Sequence, residues 1–438
     1  MSAPAGGPAP AAPGARRRPS RRLVRTVTAV VGCLAVLAAA AVAGARVLRQ
    51  EPAVTLLANW TGGDARAFRE AVIVPFERKH HVRVDYQGSS AESQVLSADV
   101  EAGTPPDVVV LTGPGELADY AGQQQLKPLD GLVPRDAFSE SWATPVQGHV
   151  YWFPLKADLK SIVWYPAGTG ERQRRQAARR PDQWCLGMGS GATSGWPGTD
   201  WIEDILLQQY GPRTYQAWAG GRLPWRSAQV RRAWTTWGRM VGAGTSPDLV
   251  RRALLTEYRD ASGLVTAHPR QCTLEHQASF IRARRAWEEV DGRYEPSAHL
   301  IPGAAVRDAW EVSGDLVALL HDTPQARELI RHLASAGAQR TWNAKESGFS
   351  VHAGAQSTGP DAGWHRSLAA TLLDTGAVHC FDASDAMPPP VRDAFAQSAV
   401  DFLADPGPSH LDALLQNLDT LRGAKGLVWL RSVCDHGT

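Results

Sequence analysis

Residues 53–130 alternate short apolar runs with helix-length segments, and this alternation restricts the fold more than any other feature of the chain. "AVTLLANW" (53–60) is an apolar run ending in a polar loop, the pattern of a buried strand. "TGGDARAFREAVIVPFERKH" then carries an acid in its first turn and apolar residues at Phe68, Ala71, Val72, Pro75 and Phe76, which predicts a helix. "HVRVDYQGS" alternates like a strand, and "SAESQVLSADVEAGTPPD" reads as a helix stopped by Gly-Thr-Pro-Pro. "DVVVLTGPGELADYAGQQQLKPLD" is a buried strand, a Gly/Pro loop and another helix. Repeated strand–helix units predict an α/β fold: a parallel sheet with helices on both faces. Ligands of such sheets lie beyond the carboxyl ends of the strands. Those ends are Asn59-Trp60-Thr61, Gln87-Gly88-Ser89 and Thr112-Gly113-Pro114, and no phosphate-loop motif accompanies them.

Further along, "GHVYWFPLKADLKSIVWYP" (148–166) places two strand-like runs around "KADLK". "RQRRQAARRPDQW" is a basic, solvated segment, residues 200–260 are helical and rich in Trp, and "CTLEHQASFI" (272–281) returns to a strand. "DTPQARELIRHLASAGAQRTWNA" (322–344) is a Pro-started helix, and residues 389–438 are again helical. At 438 residues and 43% hydrophobic, the chain suits two domains. With Lys+Arg 46 against Asp+Glu 44 and no basic stripe in the body, nothing points to a nucleic-acid partner. The 16 Trp outnumber Phe (9) and Tyr (8), which points to ring-shaped ligands, although core filling accounts for most of them. Trp234 and Trp237, three apart on one helix, read as a core stripe.

Residues 1–25 read as a disordered basic N-terminus. The Arg-rich "RRRPSRRLVR" precedes an uncharged stretch, and 26–48 reads as a signal or transmembrane anchor with the N-terminus in the cytoplasm and the body outside. Three fates stay open: cleavage near Ala41–Ala43, retention as a tether, or lipidation of Cys33 in "VVGC". The remaining Cys185, Cys272, Cys380 and Cys434 suit two disulfides in an exported body. Four cysteines allow three connectivities; Cys185–Cys272 with Cys380–Cys434 is preferred because each closes one segment of chain. No metal-ligand spacing occurs, so neither a metal nor a cofactor is expected.

"SGWPGTDWIED" (194–204) packs two tryptophans and three acids together. Paired carboxylates suggest hydrolysis, yet adjacent helical residues such as Glu203 and Asp204 diverge by about 100° and cannot flank one substrate. Asp200 with Glu203 three positions on instead predicts a capping box for "WIEDILLQQY", with Ile202, Ile205 and Leu206 buried and Gly211-Pro212 ending the helix. No GxSxG motif is present, and no catalytic residues are expected. Trp196, in a Gly/Pro loop, is left as a ligand contact.

"VTLLANWTGG…AFREAVIVPFER…VRVDYQGSS…VLSADVEAGTPPDVVVLTGPGELADYAGQQQLKPLD" resembles the start of a mature extracellular solute-binding protein of an ABC importer, of the carbohydrate type. "HVYWFPLKADLKSIVWYP", "HQASFI", "GDLVALLHDTPQARELIRHLAS" and "FDASDAMPPPVRDAF" extend the likeness over roughly residues 53–405, and "QWCLGMGSGATSGWPGTDWIEDILLQQYGP" is similar to an actinobacterial-type branch. The resemblance implies a two-lobed periplasmic-binding-protein-like fold of type II with the ligand cleft between lobes. Lobe one would be 50–156 plus 280–316, and lobe two 157–279 plus 317–438. Hinges would lie near Lys156–Ala157, Ala278–Phe280 and Gly314–Leu316. It also implies a monomeric body that binds a mono- or oligosaccharide outside the membrane and delivers it to ABC permease subunits. A membrane-tethered sensor of the same fold and a carbohydrate-active hydrolase are the alternatives.

A sugar site needs an aromatic plate ringed by carboxylates and amides. The candidates are Trp60 and Asp64 after the first strand, Gln87 and Ser89 after the second, and Thr112 after the third. Trp196, Trp310, Glu311, Trp342 and Asn343 complete the set. Helix capping is the alternative for Asp64, turn polarity for Gln87 and Ser89, and a first-turn dipole role for Glu116.

Overall fold

β1 (Ala53–Ala58) runs parallel to both of its neighbours, β2 (Arg83–Gly88) and β3 (Val108–Leu111). The computed structural model describes residues 52–435 apart from 135, 140, 141, 144, 307, 345–348 and 356–362, and residues 53–438 form one unit. Residues 1–51, with the expected anchor and Cys33, lie outside the described residues. No helix among the described residues is long and apolar enough to cross a membrane.

Helices 74–80 and 92–101 connect β1 to β2 and β2 to β3, as the alternation required. A left-handed residue, His81 (φ 54°), stops the first of them. Two longer strands extend this sheet: β4 (Trp152–Leu159) and β8 (Ala309–Leu319). β8 pairs antiparallel with β3 through Leu316–Leu319 and with β4 along most of its length. Its other end, Ala309–Val312, pairs with β9 (Val378–Phe381). β4 and β8 therefore run out of the first half of the body into the second. A second sheet has the order β6-β5-β7, where β5 is Ile162–Tyr165, β6 Glu275–His276 and β7 Arg293–Pro296. The expected strand at 272–281 is thus only two residues of ladder, followed by a 3₁₀ turn at Ser279–Ala283.

These pairings redraw the lobe boundaries. β7 bonds to β5, so residues around 293–296 sit with the 157–279 segment rather than with 50–156. Helix 324–333 packs on β1, and Trp342 packs tilted against Trp60 (5.3 Å) and edge to face against Phe68 (5.4 Å), so 317–344 belongs with the first half. The sequence order suggested the reverse because a long crossing strand looks the same from either end.

The second half is built on the helix Trp196–Ala219, which breaks at Gly211 (φ 82°, ψ 171°) before Pro212 and then resumes, where the sequence had suggested a stop. Trp218, Trp225, Trp234 and Trp237 pack around Phe395 and Phe402 of helix 389–404 and are all buried, so the Trp234/Trp237 stripe is core. Each such indole removes some 200 Å² of apolar surface from water, on the order of several kcal/mol. Disulfides join Cys185 to Cys272 and Cys380 to Cys434. Both lie in this half.

Candidate ligand-binding site

The carboxyl end of β1 meets the two crossing strands at one buried carboxylate. Asn59 Nδ2 (2.7 Å) and Trp60 Nε1 (3.1 Å) both donate to Asp315 on β8. Asp315 is in register with Lys156 on β4, whose ammonium pairs with Asp158 at 2.9 Å. Asp158 in turn accepts from Ser279 Oγ at 2.7 Å. The three segments named as hinges by sequence are therefore contiguous in space. Burial pushes the Asp315 carboxyl up, with Lys156 acting against it. Burial works against the charge on Lys156, yet Asp158 and Asp315 hold its pKa above the ordinary value.

Beside this group stand three half-buried rings. Trp196 and Tyr258 meet edge to face at 4.8 Å, and Phe280 lies 6.3 Å from Tyr258 and 6.4 Å from Trp196. Lys156 Nζ lies 5.3 Å from the Phe280 ring, tying this wall to the crossing strands. The glycine-rich loop 187–195 sets the wall by packing backbone on backbone. Gly189 N donates to Thr256 O and Tyr258 N donates to Gly189 O, each at 2.9 Å. A Cβ on Gly187 would stand 2.7 Å from Glu257 O, too close for any side chain. Gly195 (φ 106°) directs the chain into the helix, with its missing Cβ 2.2 Å from Ala396 O. Cys185–Cys272 closes the base of the loop.

Under Trp196 lies a buried charge cluster. Lys160 Nζ sits 5.8 Å from its ring, bonds Asp200 at 2.9 Å, bonds Asp382, and approaches Glu311 at 3.9 Å. Glu203 accepts from the backbone N–H groups of Ala383 and Ser384, and His276 pairs with Asp204 at 2.7 Å. The helix starts at Trp196, so Asp200 is inside it and the expected capping box does not form. Both acids turn inward because Lys160 and the 382–384 backbone supply partners that no local pattern reveals. Burial raises the carboxyls of Asp200, Glu203 and Glu311 well above their ordinary range. Burial acts the same way on Asp382, but Lys160 overrides it and holds that group ionised. Oxygens of Asp200, Glu311 and Asp382 lie within 4.8 Å of one another, a spacing that suits a cation, and the Lys160 ammonium is the cation among them.

The other expected site residues scatter. Trp60 and Trp342 are brought together, but in the core against Phe68, at 7% and 1% exposure, and so are not open plates. Asp64 lies on the first half, 3.9 Å from Arg284 of the second. Gln87 is exposed at the end of β2, and Ser89 Oγ accepts from Ala91 N in a turn. Thr112 Oγ1 reaches Asp385 at 3.4 Å. Trp310 is half-buried on β8, and Glu311 belongs to the Lys160 cluster. Asn343 ends helix 336–343, and its side chain lies outside the described residues. Glu116 is buried in its helix's first turn and paired with Arg392 at 2.7 Å. Tyr258, Asp158 and Lys160 were not singled out in the sequence, and Lys156, Phe280 and Asp315 were placed there only as hinge residues, not as site residues. The alternating charges of "KADLK" between two apolar runs were the available signal for three of them.

Two depressions of about 650 and 630 Å³ open elsewhere, one beside Arg226 and Asp419 and one over β1 and β2 near Arg83. Neither touches the aromatic wall.

A family profile described as bacterial extracellular solute-binding protein matches residues 59–340. The chain is 28% identical over 397 residues to the alpha-glucosides-binding periplasmic protein AglE of Rhizobium meliloti, covering 83% of this chain and 86% of that one. It is 29% identical over 383 residues to the osmoprotective compounds-binding protein GgtB of Synechocystis sp., covering 80% and 88%. Among solved structures, the solute receptor AcbH, described as preferring β-D-galactopyranose, superposes with a TM-score of 0.69 at 15% identity, over 85% of this chain and 98% of that one. A chitin oligosaccharide binding protein does so at 0.67 and 16%, over 84% and 98%. The fold is accordingly the two-lobed, type II architecture, and the matched family consists of binding proteins rather than enzymes. With well over half of its length inside the profile, the chain belongs to the family of bacterial extracellular solute-binding proteins.

Proposed function

We propose that this protein captures a sugar between its two lobes outside the membrane and passes it to the permease of an ABC importer. The observation that carries the reading is the half-buried wall of Trp196, Tyr258 and Phe280, set beside the Lys156–Asp158–Asp315 group. An apolar ring face packs on such a wall for about 1 kcal/mol beyond area burial, while neighbouring carboxylates and amides accept hydroxyl protons. The relatives' names, alpha-glucosides for AglE among them, support the same ligand class. Closure would turn on β4 and β8 near Lys156 and Asp315, drawing Asp64 and Arg284 together across the mouth. No bond need break: Glu203 and Asp204 are both spent on buried structural partners.

Thermal unfolding of the purified protein against a panel of mono- and disaccharides tests the reading. A rise in melting temperature with at least one sugar is expected, with no release of reducing ends from oligosaccharides. Silence across the panel would sink the sugar assignment, and hydrolysis would sink the pure binding role. Residues 26–48 would hold the body at the extracytoplasmic face, which protease accessibility of the body on intact cells would report.

A further inference from the structure

Helix 114–122 follows β3 in the first lobe, yet its opening turn is pressed against the second. Gly115 marks the tightest point. A Cβ placed there would stand 2.3 Å from Met387 O and 2.6 Å from Ala386 O, and the three atoms nearest to it all belong to the second lobe. Residues 383–387 are fixed in that lobe by Glu203, which accepts from the N–H groups of Ala383 and Ser384. Within its own helix Gly115 would serve better as alanine, the stronger helix former. What requires glycine here is the backbone arriving from across the cleft.

The next residue adds a charged contact. Glu116 Oε2 accepts from Ser93 Oγ (2.7 Å) of helix 92–101 in its own lobe and from Arg392 Nη1 (2.7 Å) of helix 389–404 in the other. The carboxylate is 5% exposed and the guanidinium 17%, so water and salt screen this pair far less than a surface one. At the far end of the helix, a Cβ on Gly122 would meet Val428 Cγ2 at 3.6 Å. Val428 lies in the C-terminal segment that Cys380–Cys434 ties to β9. The second lobe thus grips helix 114–122 at both ends. A rotation about β4 and β8 slides residues 383–387 across Gly115, so this contact and the open state exclude each other.

We propose that Gly115 and the Glu116–Arg392 pair form a latch that holds the lobes shut before any ligand arrives. Capture then begins from a minor open population. The proposal rests on the hinge closure in the reading above and not on sugar as the ligand.

Pulsed electron–electron distance measurement on the full chain, with no ligand added, tests the latch. Spin labels go on Lys79→Cys and Arg172→Cys, exposed residues of helices 74–80 and 171–177, one on each lobe, in a Cys33→Ser background. The native protein should give one narrow distance. Gly115→Ala and Glu116→Gln should each move the main distance by about 5 Å, the travel of a label about 20 Å from a hinge that turns by about 15°. Gly63→Ala, a helical glycine with nothing within 4 Å of its Cβ position, should leave the distance in place. An unchanged distance in either latch variant overturns the proposal, and a fall in melting temperature without a shift would mark the contact as static packing. A native distance already as long as that of the variants overturns it too. No sugar is present, so none of these outcomes touches the sugar reading, which the melting panel decides.

Discussion

The Trp196 ring and the Lys160 ammonium lie 5.8 Å apart, and that ammonium is bonded at 2.9 Å to Asp200, one helical turn beyond Trp196 on the same helix. The wall of the candidate site therefore stands directly on a buried ion cluster. Lys160→Met would leave Asp382 and its neighbours without their cation, a loss of about 3–5 kcal/mol. Urea unfolding should show it, with part of the loss recovered in Lys160→Met combined with Asp382→Asn. An unchanged midpoint in the single variant would mean that the cluster is already neutral.

Binding and stability should separate among the tryptophans. Trp196→Ala and Tyr258→Ala are expected to weaken sugar binding about tenfold or more, in line with a loss of a stacking face. Trp342→Ala, emptying the core between Trp60 and Phe68, should cost about 3–5 kcal/mol of stability. Parallel calorimetry and thermal melts check both, and retained affinity in the first two variants would rule out the wall as the plate.

Glu275 is a pH probe. Burial raises its carboxyl to about 7, against the hydrogen bonds donated by Ser262 and Trp287. The native state thus keeps a proton that the unfolded chain releases near its ordinary value. Stability from this group is complete below about pH 4.5 and declines as pH rises towards 7, by about 3 kcal/mol in total. Glu275→Gln preserves the acceptor and should flatten that part of the curve in denaturant titrations from pH 4.5 to 8. Identical slopes in both proteins would contradict a neutral Glu275.

The Cys185–Cys272 bridge closes 87 residues and anchors the loop that carries Trp196 against Tyr258. Replacing both cysteines by Ser should cost about 4–5 kcal/mol on the chain-entropy account. Sugar affinity should fall as well, because the loop loses its base. Loss of stability with affinity intact would show that the glycine contacts alone hold the wall.

Much of this was legible in the sequence. The β1–β3 alternation, the Pro start of the helix expected over 322–344 (which the structure breaks into 324–333 and 336–343), the Trp234/Trp237 stripe and the pairing of cysteines by region all depend on neighbours along the chain. Tyr258, and the place of the hinge residue Phe280 in the wall, were not, since each lies in a short irregular segment with no period of its own. Trp60 and Trp342 misled for a related reason: an aromatic residue after a strand or helix looks the same whether a ligand or another ring covers it.

"SGWPGTDWIED" shows where the division falls. That a helix follows its glycines and proline was legible from local backbone chemistry, although the sequence began it after Asp200 and the structure begins it at Trp196. Whether Asp200 and Glu203 cap that helix or enter the core was decided only by the tertiary structure. The same residues at the same spacing serve both ends; what separates them is the arrival of Lys160 from β4's end and of the Asp382–Ser384 backbone from beyond β9. Buried charge is tolerated only where such distant partners converge, and convergence is a property of the fold.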